Sequence, residues 1–366
     1  MLSLPVAGWL VGSLGSDAMT SVAALGLCLA LPLPIISPTV TVLVATLAIL
    51  GAFNGTLDVS VNAQAAAVEE RYGRPIMSSF HGLFSLGGVV GAGLASAIMA
   101  VGVDHRWHIG GVTTVSVALV LLCVRHLVAS RGAGSRSMPV FSWPSSDVLS
   151  LGLLTFCALL AEGAMADWSA VYLHDTLATT PAWAATGFAT FSLAMAVGRF
   201  GGDRLVGRLG AVAALRASSA IACVGLAGAV LLRTPAAAIA GFGAVGLGLA
   251  NAVPVLFRSA ARASPTATGT ALAAVATTGY FGFLVGPPLI GLAAEATGLS
   301  VGLGLVGGAC GLMTACAGWV RWCPTTAGGG RCRRRCGRAS RGAVAARASG
   351  LPRRGSDSRE ASRPIR

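Results

Sequence analysis

Lysine is absent from this chain, and all 26 basic residues are arginine. No G-x-x-x-x-G-K-[ST] phosphate loop can therefore occur, which argues against an ATP-driven pump. Charge of either sign is scarce, at 11% of 366 residues, where a soluble domain carries roughly 25%. Most helix surface must then face something other than water. Cysteine builds no framework either. Cys28, Cys123, Cys157, Cys223, Cys310 and Cys316 stand singly in apolar runs, where Cys behaves as a small hydrophobe. Cys323, Cys332 and Cys336 have no neighbouring His and no paired CxxC spacing, which argues against zinc. No His/carboxylate metal pair and no Ser/His nucleophile arrangement stands out, so neither a cofactor nor an enzymatic activity is expected.

What the chain does have is apolar length. Hydrophobic residues make up 54% and mean hydropathy is +0.76. The 50 glycines suit closely packed membrane helices. A span needs ~20 apolar residues, and that ruler gives segments near 3–14, 18–36, 39–65, 77–101, 107–128, 147–173, 182–205, 211–232, 235–257, 268–294 and 299–321. The expected fold is an all-α, multi-pass membrane bundle with the bilayer as its principal partner.

The net charge of +13 does not point to nucleic acid, because of where it lies. From Cys323 onward there are 12 Arg against Asp357 and Glu360, leaving +10 there and +3 for the remainder. Residues 322–366 read either as a polybasic segment resting on anionic lipid or as a disordered, even out-of-frame, extension. Elsewhere Arg marks alternate loops: Arg71 and Arg74, then Arg125, Arg131 and Arg136, then Arg204, Arg208 and Arg216, then Arg258 and Arg262. By the positive-inside rule these loops and the C-terminus are cytoplasmic. The polar connection 129–146, with Pro139 and Pro144, separates a half at 1–128 from a half at 147–321. Five segments precede it and six follow, as in a six-plus-six plan without its first helix.

Ionisable residues inside membrane segments are costly and generally line a cavity. Asn54, Asp58 and Asn62 recur every four residues, placing three polar side chains on one helix face. That face lines a polar cavity, where Asp58 would take up and release a proton, or it bonds to a neighbouring helix. Ser78, His81 and Ser85 share a face of the next segment, with His81 either a proton relay or a packed, hydrogen-bonded residue. Gly87, Gly91 and Ala95 form a small-residue stripe suited to close helix contact. Glu162 falls at mid-bilayer, and Asp167 lies ~140° further around a regular helix. Trp168 and Tyr172 share a face, for stacking on a solute or for an interfacial belt. Asn251 is a further polar candidate within an apolar segment.

The seventh segment ends GRFGGDRLVGRLG. Gly198, Arg199, Gly202, Asp203, Arg204, Arg208 and Gly210 read as a Gly-rich charged hairpin, able to open and close with helix movement. This run resembles the loop signature of the major facilitator superfamily, G-x-x-x-D-R-x-G-R-R. Gly12-Ser13-Leu14-Gly15-Ser16-Asp17 is its reduced first-half counterpart. Within that superfamily, DVSVNAQAAAVEERYGRPIMSSFHGLFSLGG and LLAEGAMADWSAVYL look like a bacterial inner-membrane branch similar to the fucose–proton symporter group. The resemblance covers roughly residues 3–321 and implies two helical halves rocking about a central cavity. It implies Asp58, in family helix four, as a proton-coupling acid, and leaves family helix one unrepresented.

The leading expectation is a monomeric secondary transporter of the cytoplasmic membrane, coupled to protons, importing a sugar-like solute or exporting a drug-like one. The alternatives are an incomplete, inactive relative and a non-transporting receptor or scaffold.

Overall fold

The structure is a computed structural model that describes residues 3–130, 145–264 and 267–320. The basic tail and most of the central connection lie outside those residues. Among the described residues every regular element is helical. The helices are α1 (Ser3–Leu14), α2 (Ser16–Ala30), α3 (Val40–Tyr72), α4 (Met77–Ala100), α5 (His105–Cys123) and α6 (Ser146–Val171). They continue with α7 (Pro181–Leu209), α8 (Ala211–Leu232), α9 (Pro235–Leu249), α10 (Ala252–Ala263), α11 (Thr268–Thr297) and α12 (Leu299–Cys316).

Side-chain chemistry sets the helix ends. The hydroxyls of Thr39, Ser145, Thr180 and Thr234 accept from the backbone N–H groups of Val42, Val148, Trp183 and Ala237, satisfying donors that the first turn leaves free. Pro181 and Pro235 open α7 and α9, where a missing N–H costs nothing. Gly210 (φ 78°) turns the chain sharply between α7 and α8, in a backbone region that other residues rarely adopt.

The segment expected as one helix at 235–257 is two. Pro254 cannot donate to the carbonyl of Ala250, so the ladder is interrupted there, and the chain breaks between α9 and α10 with Asn251 at the break. The joint run Pro235–Ala263 remains long and apolar enough to cross a membrane, as do six others among the described residues. Large apolar side chains such as Val40, Phe84, Leu119, Leu231 and Leu292 are exposed all round the bundle. A bilayer covers such a surface, and water does not. The chain is a multi-pass membrane protein.

α6 packs along α11, α8 lies between α9 and α12, and α9 also lies on α7. α3 packs on α2 and α1. Contacts between the helices before the central connection and those after it include α1 on α11, α4 on α7, α3 on α11, and α10 on both α3 and α4. At the first of these the backbones touch: a Cβ on Gly8 would lie 2.8 Å from the Gly269 carbonyl oxygen, and one on Gly269 would lie 2.7 Å from that of Gly8. The expected seam at Gly87 and Gly91 is a correction. A Cβ at either meets nothing within 4 Å, so close packing uses other glycines.

Candidate functional site

Polar and ionisable groups gather in two places, one at the arginine-rich end of the bundle and one at its centre.

At the basic end, Glu69 on the last turns of α3 accepts from the N–H groups of Ile76 and Met77, both at 3.0 Å, at the start of α4. Asp203 on α7 accepts from the N–H groups of Ser78 and Ser79, at 2.9 and 2.7 Å, two residues further on, and from the Ser79 hydroxyl. Two carboxylates thus cap one helix N-terminus, where free N–H groups and the helix dipole favour negative charge. Arg258 of α10 lies between them, with Nε 2.6 Å from Glu69 Oε1 and Nη2 3.5 Å from Asp203 Oδ1. None of its N–H bonds lines up on an acceptor, so the contact is ionic rather than directional. Arg262 Nη2 adds a second cation 3.6 Å from Glu69. A separate polar knot joins α2, α3 and the segment after α5: Gln64 donates to Ser16 Oγ and the Val128 carbonyl, and Ser130 Oγ donates to Asp17.

The signature run is helical rather than a loop. α7 continues to Leu209 and only Gly210 turns, so the expected hairpin at Gly198–Gly210 is a correction. Its residues interleave as two i, i+4 pairs on adjacent faces. Gly198 and Gly202 receive the break between α9 and α10. A Cβ on Gly198 would lie 2.7 Å from the Ala250 Cβ, and one on Gly202 only 1.5 Å from Asn251 Oδ1. Asn251 Nδ2 donates to the Gly198 carbonyl at 3.3 Å. Arg199 and Asp203 form the other pair: Asp203 reaches the basic end, and Arg199 reaches the centre. Arg204 and Arg208 are exposed, and Arg208 and Gly210 line a surface cavity of about 620 Å³ with Arg216. Asp17, taken as the counterpart of Asp203, follows the Gly15 turn, whereas Asp203 precedes the Gly210 turn. The two acids therefore sit on opposite sides of their turns.

The central group draws on five helices. Asp58 of α3 accepts from Asn62 Nδ2 at 3.1 Å. The Tyr280 phenol of α11 faces the Asp58 carboxyl and stands near Glu162 as well. Arg199 Nη2 is 3.9 Å from Glu162 Oε1 of α6, and Nη1 donates to Ser85 Oγ of α4. His81 is close to Arg199 and meets the Phe257 ring edge-on, with centroids 6.2 Å apart. Asp58 Oδ2, His81 Nε2, Arg199 Nε and Asn251 Oδ1 are buried without hydrogen-bond partners.

The sequence candidates are thus partly regrouped. Asp58, Asn62, His81 and Glu162 converge, and Arg199 joins them rather than the basic end. Asn54 and Asp167 are exposed. Trp168 does not offer its polar edge to a solute, since Nε1 donates to the Pro287 carbonyl at 3.2 Å and its ring lies against Gly291. Tyr172 is buried, with its hydroxyl on the Ala229 carbonyl and its ring edge-on to Phe242. Neither the stacking face nor the interfacial belt describes that pair. Tyr280 was missed, although a tyrosine within an apolar run, one of only three in the chain, was a signal.

The comparisons with known proteins agree with this architecture. Over 307 residues the chain is 39% identical to an uncharacterized MFS-type transporter of Yersinia pestis, covering 84% of this chain and 79% of the relative. It is 33% identical to the membrane protein MosC of Rhizobium meliloti over 321 residues, 87% of this chain and 77% of the relative. Among solved structures, FucP in its outward conformation aligns with a TM-score of 0.74 at 16% identity, over 88% of this chain and 87% of that one. FucP is the fucose:proton symporter of E. coli. The family model described as Major Facilitator Superfamily matches residues 1–249. With a helical bundle of the same fold and relatives named as transporters, the chain belongs to the major facilitator superfamily and is a membrane transporter.

Proposed function

We propose that the chain moves a small solute by alternating access, coupled to protons, with α1–α5 and α6–α12 as the two rocking halves. The observation that carries this reading is the central group: ionisable side chains from α3, α4, α6 and α7, with Tyr280 of α11, meet where the two sets of helices face each other. A bilayer-embedded bundle has no structural need for such costly groups at its middle. Asp58 and Glu162 are the proton carriers in this reading, with Asn62, His81, Arg199, Asn251 and Tyr280 lining the path.

The basic end is cytoplasmic by the positive-inside rule, in the inner membrane of a bacterium. Glu69, Asp203 and Arg258 join the two halves there, which supports a conformation closed to the cytoplasm and facing outward. The outward conformation of the FucP structure is consistent with it. Protonation and solute together would favour release of this cluster, since a ligand shifts an equilibrium only by its differential affinity for the two states.

The test is solute-dependent proton uptake in proteoliposomes carrying the full chain, with a panel of neutral, anionic and cationic solutes. Coupled uptake that disappears in Asp58→Asn or Glu162→Gln supports the reading. Folded protein that moves no solute of any class sinks it.

A further inference from the structure

Among the described residues, the two buried arginines are held in opposite ways. Arg258 has one carboxylate at 2.6 Å and another at 3.5 Å. Arg199 is also buried, at 9% exposure. Among the described residues the carboxylate paired with it is Glu162, which stands off at 3.9 Å, beyond hydrogen-bond reach. Of its donors, Nη1 is used by Ser85 and Nε meets no acceptor. A buried guanidinium with idle donors is costly. Two further groups of the central cluster are polar and also incompletely bonded: His81 Nε2 from α4, close to Arg199, and Asp58 Oδ2 from α3, beyond Tyr280.

We infer that Arg199 is the binding residue for a carboxylate on the transported solute, and that Glu162 is the internal acid this carboxylate displaces. The inference rests on the transport reading above and narrows its solute class. A carboxylate matches the planar fork of a guanidinium and fills the donors that Ser85 and Glu162 leave idle. The groups facing Arg199 are His81 and Ser85 from α4 and Glu162 from α6, with Asp58 of α3 and Tyr280 of α11 beyond. With both acids ionised, two negative charges oppose one arginine, and an incoming anion is repelled. A proton taken up by the Glu162 carboxylate releases Arg199 to the solute. When the solute leaves on the other side, Glu162 returns that proton to water and re-forms its loose pair. The Glu162 proton therefore accompanies each anion, beside the one that Asp58 carries, and no other bond is made or broken.

The experiment follows thermal unfolding of the purified full chain in detergent with sodium lactate, gluconate or benzoate, against sorbitol and choline at matched ionic strength. A solute that binds the folded protein raises the midpoint in proportion to its affinity. At least one carboxylate is expected to stabilise, more tightly at lower pH. Arg199→Gln should weaken that binding about tenfold or more, the worth of a charge-assisted hydrogen bond, while Arg199→Lys retains part of it. Glu162→Gln should bind the carboxylate with an affinity that depends less on pH than that of the native chain. Stabilisation by sorbitol or choline that persists in Arg199→Gln overturns the solute class and leaves the transport reading standing. Silence of every carboxylate overturns it as well, as does carboxylate binding that a folded Arg199→Gln leaves unchanged. Circular dichroism confirms folding of each variant, and the proton-uptake assay judges the transport reading separately.

Discussion

Arg258 Nε lies 2.6 Å from Glu69 Oε1, and the two side chains are 2% and 3% exposed, although 189 positions of sequence separate them. This pair joins α10 to the α3–α4 corner. Glu69→Ala leaves Arg258 with only the longer contact to Asp203 and removes the acceptor from the N–H groups of Ile76 and Met77. Breaking one partner out of a buried ion pair costs about 3–5 kcal/mol. Thermal unfolding in detergent should show a large loss for Glu69→Ala, and the double variant Glu69→Ala, Arg258→Leu should lose less than the sum of the singles. Additive losses would mean the pair is not coupled.

The close approach at Gly202 makes a sharper steric prediction. A Cβ there falls 1.5 Å from Asn251 Oδ1 and 2.9 Å from Ser78 Oγ. Gly202→Ala should destabilise by about 1–3 kcal/mol, the usual cost of overpacking. Adding Asn251→Ala removes the obstructing amide and should recover most of the loss. The unfolding midpoints of the two variants decide it, and equal midpoints would place the strain elsewhere.

Asp203 acts on α4 through its N-terminus rather than through a side-chain partner alone. Asp203→Asn retains one acceptor oxygen for the Ser78 and Ser79 N–H groups but loses the charge that the helix dipole favours. Its expected cost is about 0.3–2 kcal/mol. Asp203→Ala removes both acceptors and should cost more. A ranking of Ala below Asn below the native residue in unfolding midpoint is expected. The reverse ranking would show that burying the Asp203 charge outweighs its bonds.

How far the sequence reached follows from the range of each interaction. The i, i+4 spacing of Asp58 and Asn62 was legible, and the hydrogen bond between them is local. The spans were legible from apolar length, while the Thr180 and Thr234 caps before Pro emerge only in the structure. Pro254 marked the α9–α10 break, but the continuous apolar run concealed it. The direction of Arg199 was not legible. One turn of helix separates it from Asp203, and only the positions of Glu162 and Ser85 on other helices send one residue to the centre and the other to the end. The role of Glu69 was not legible either, because its partners Arg258 and Arg262 come from far along the chain. The Gly87–Gly91 stripe shows the converse failure, since small residues permit close contact without dictating where it occurs.

Asp58→Asn preserves shape and a hydrogen-bonding group beside Asn62 and Tyr280 but cannot carry a proton. If Asp58 couples the proton, net uphill uptake should fall to background while solute exchange across the membrane persists, because exchange returns the carrier loaded in both directions. Counterflow measured beside proton-driven uptake in the same vesicles separates the two. Loss of both activities would give Asp58 a binding or structural role instead.

Trp168 tests whether the aromatic pair of α6 serves the solute or the bundle. Its Nε1–H donates to the carbonyl of Pro287 in α11, beside a helix whose ladder already lacks the donors of Pro287 and Pro288. The ring also fills the space over Gly291, at 3.1 Å from the position of a Cβ. Trp168→Phe removes the donor and keeps much of the ring, so stability should fall by about 0.5–1.5 kcal/mol, the net worth of one hydrogen bond. Solute KM should stay within about twofold of the native value, since a change well under the 1.4 kcal/mol of a tenfold shift marks a residue that does not touch the ligand. Trp168→Ala should lose considerably more stability, because it also empties the contact with α11. A Phe variant with native stability but a large rise in KM would reverse the assignment and make Trp168 part of the solute path.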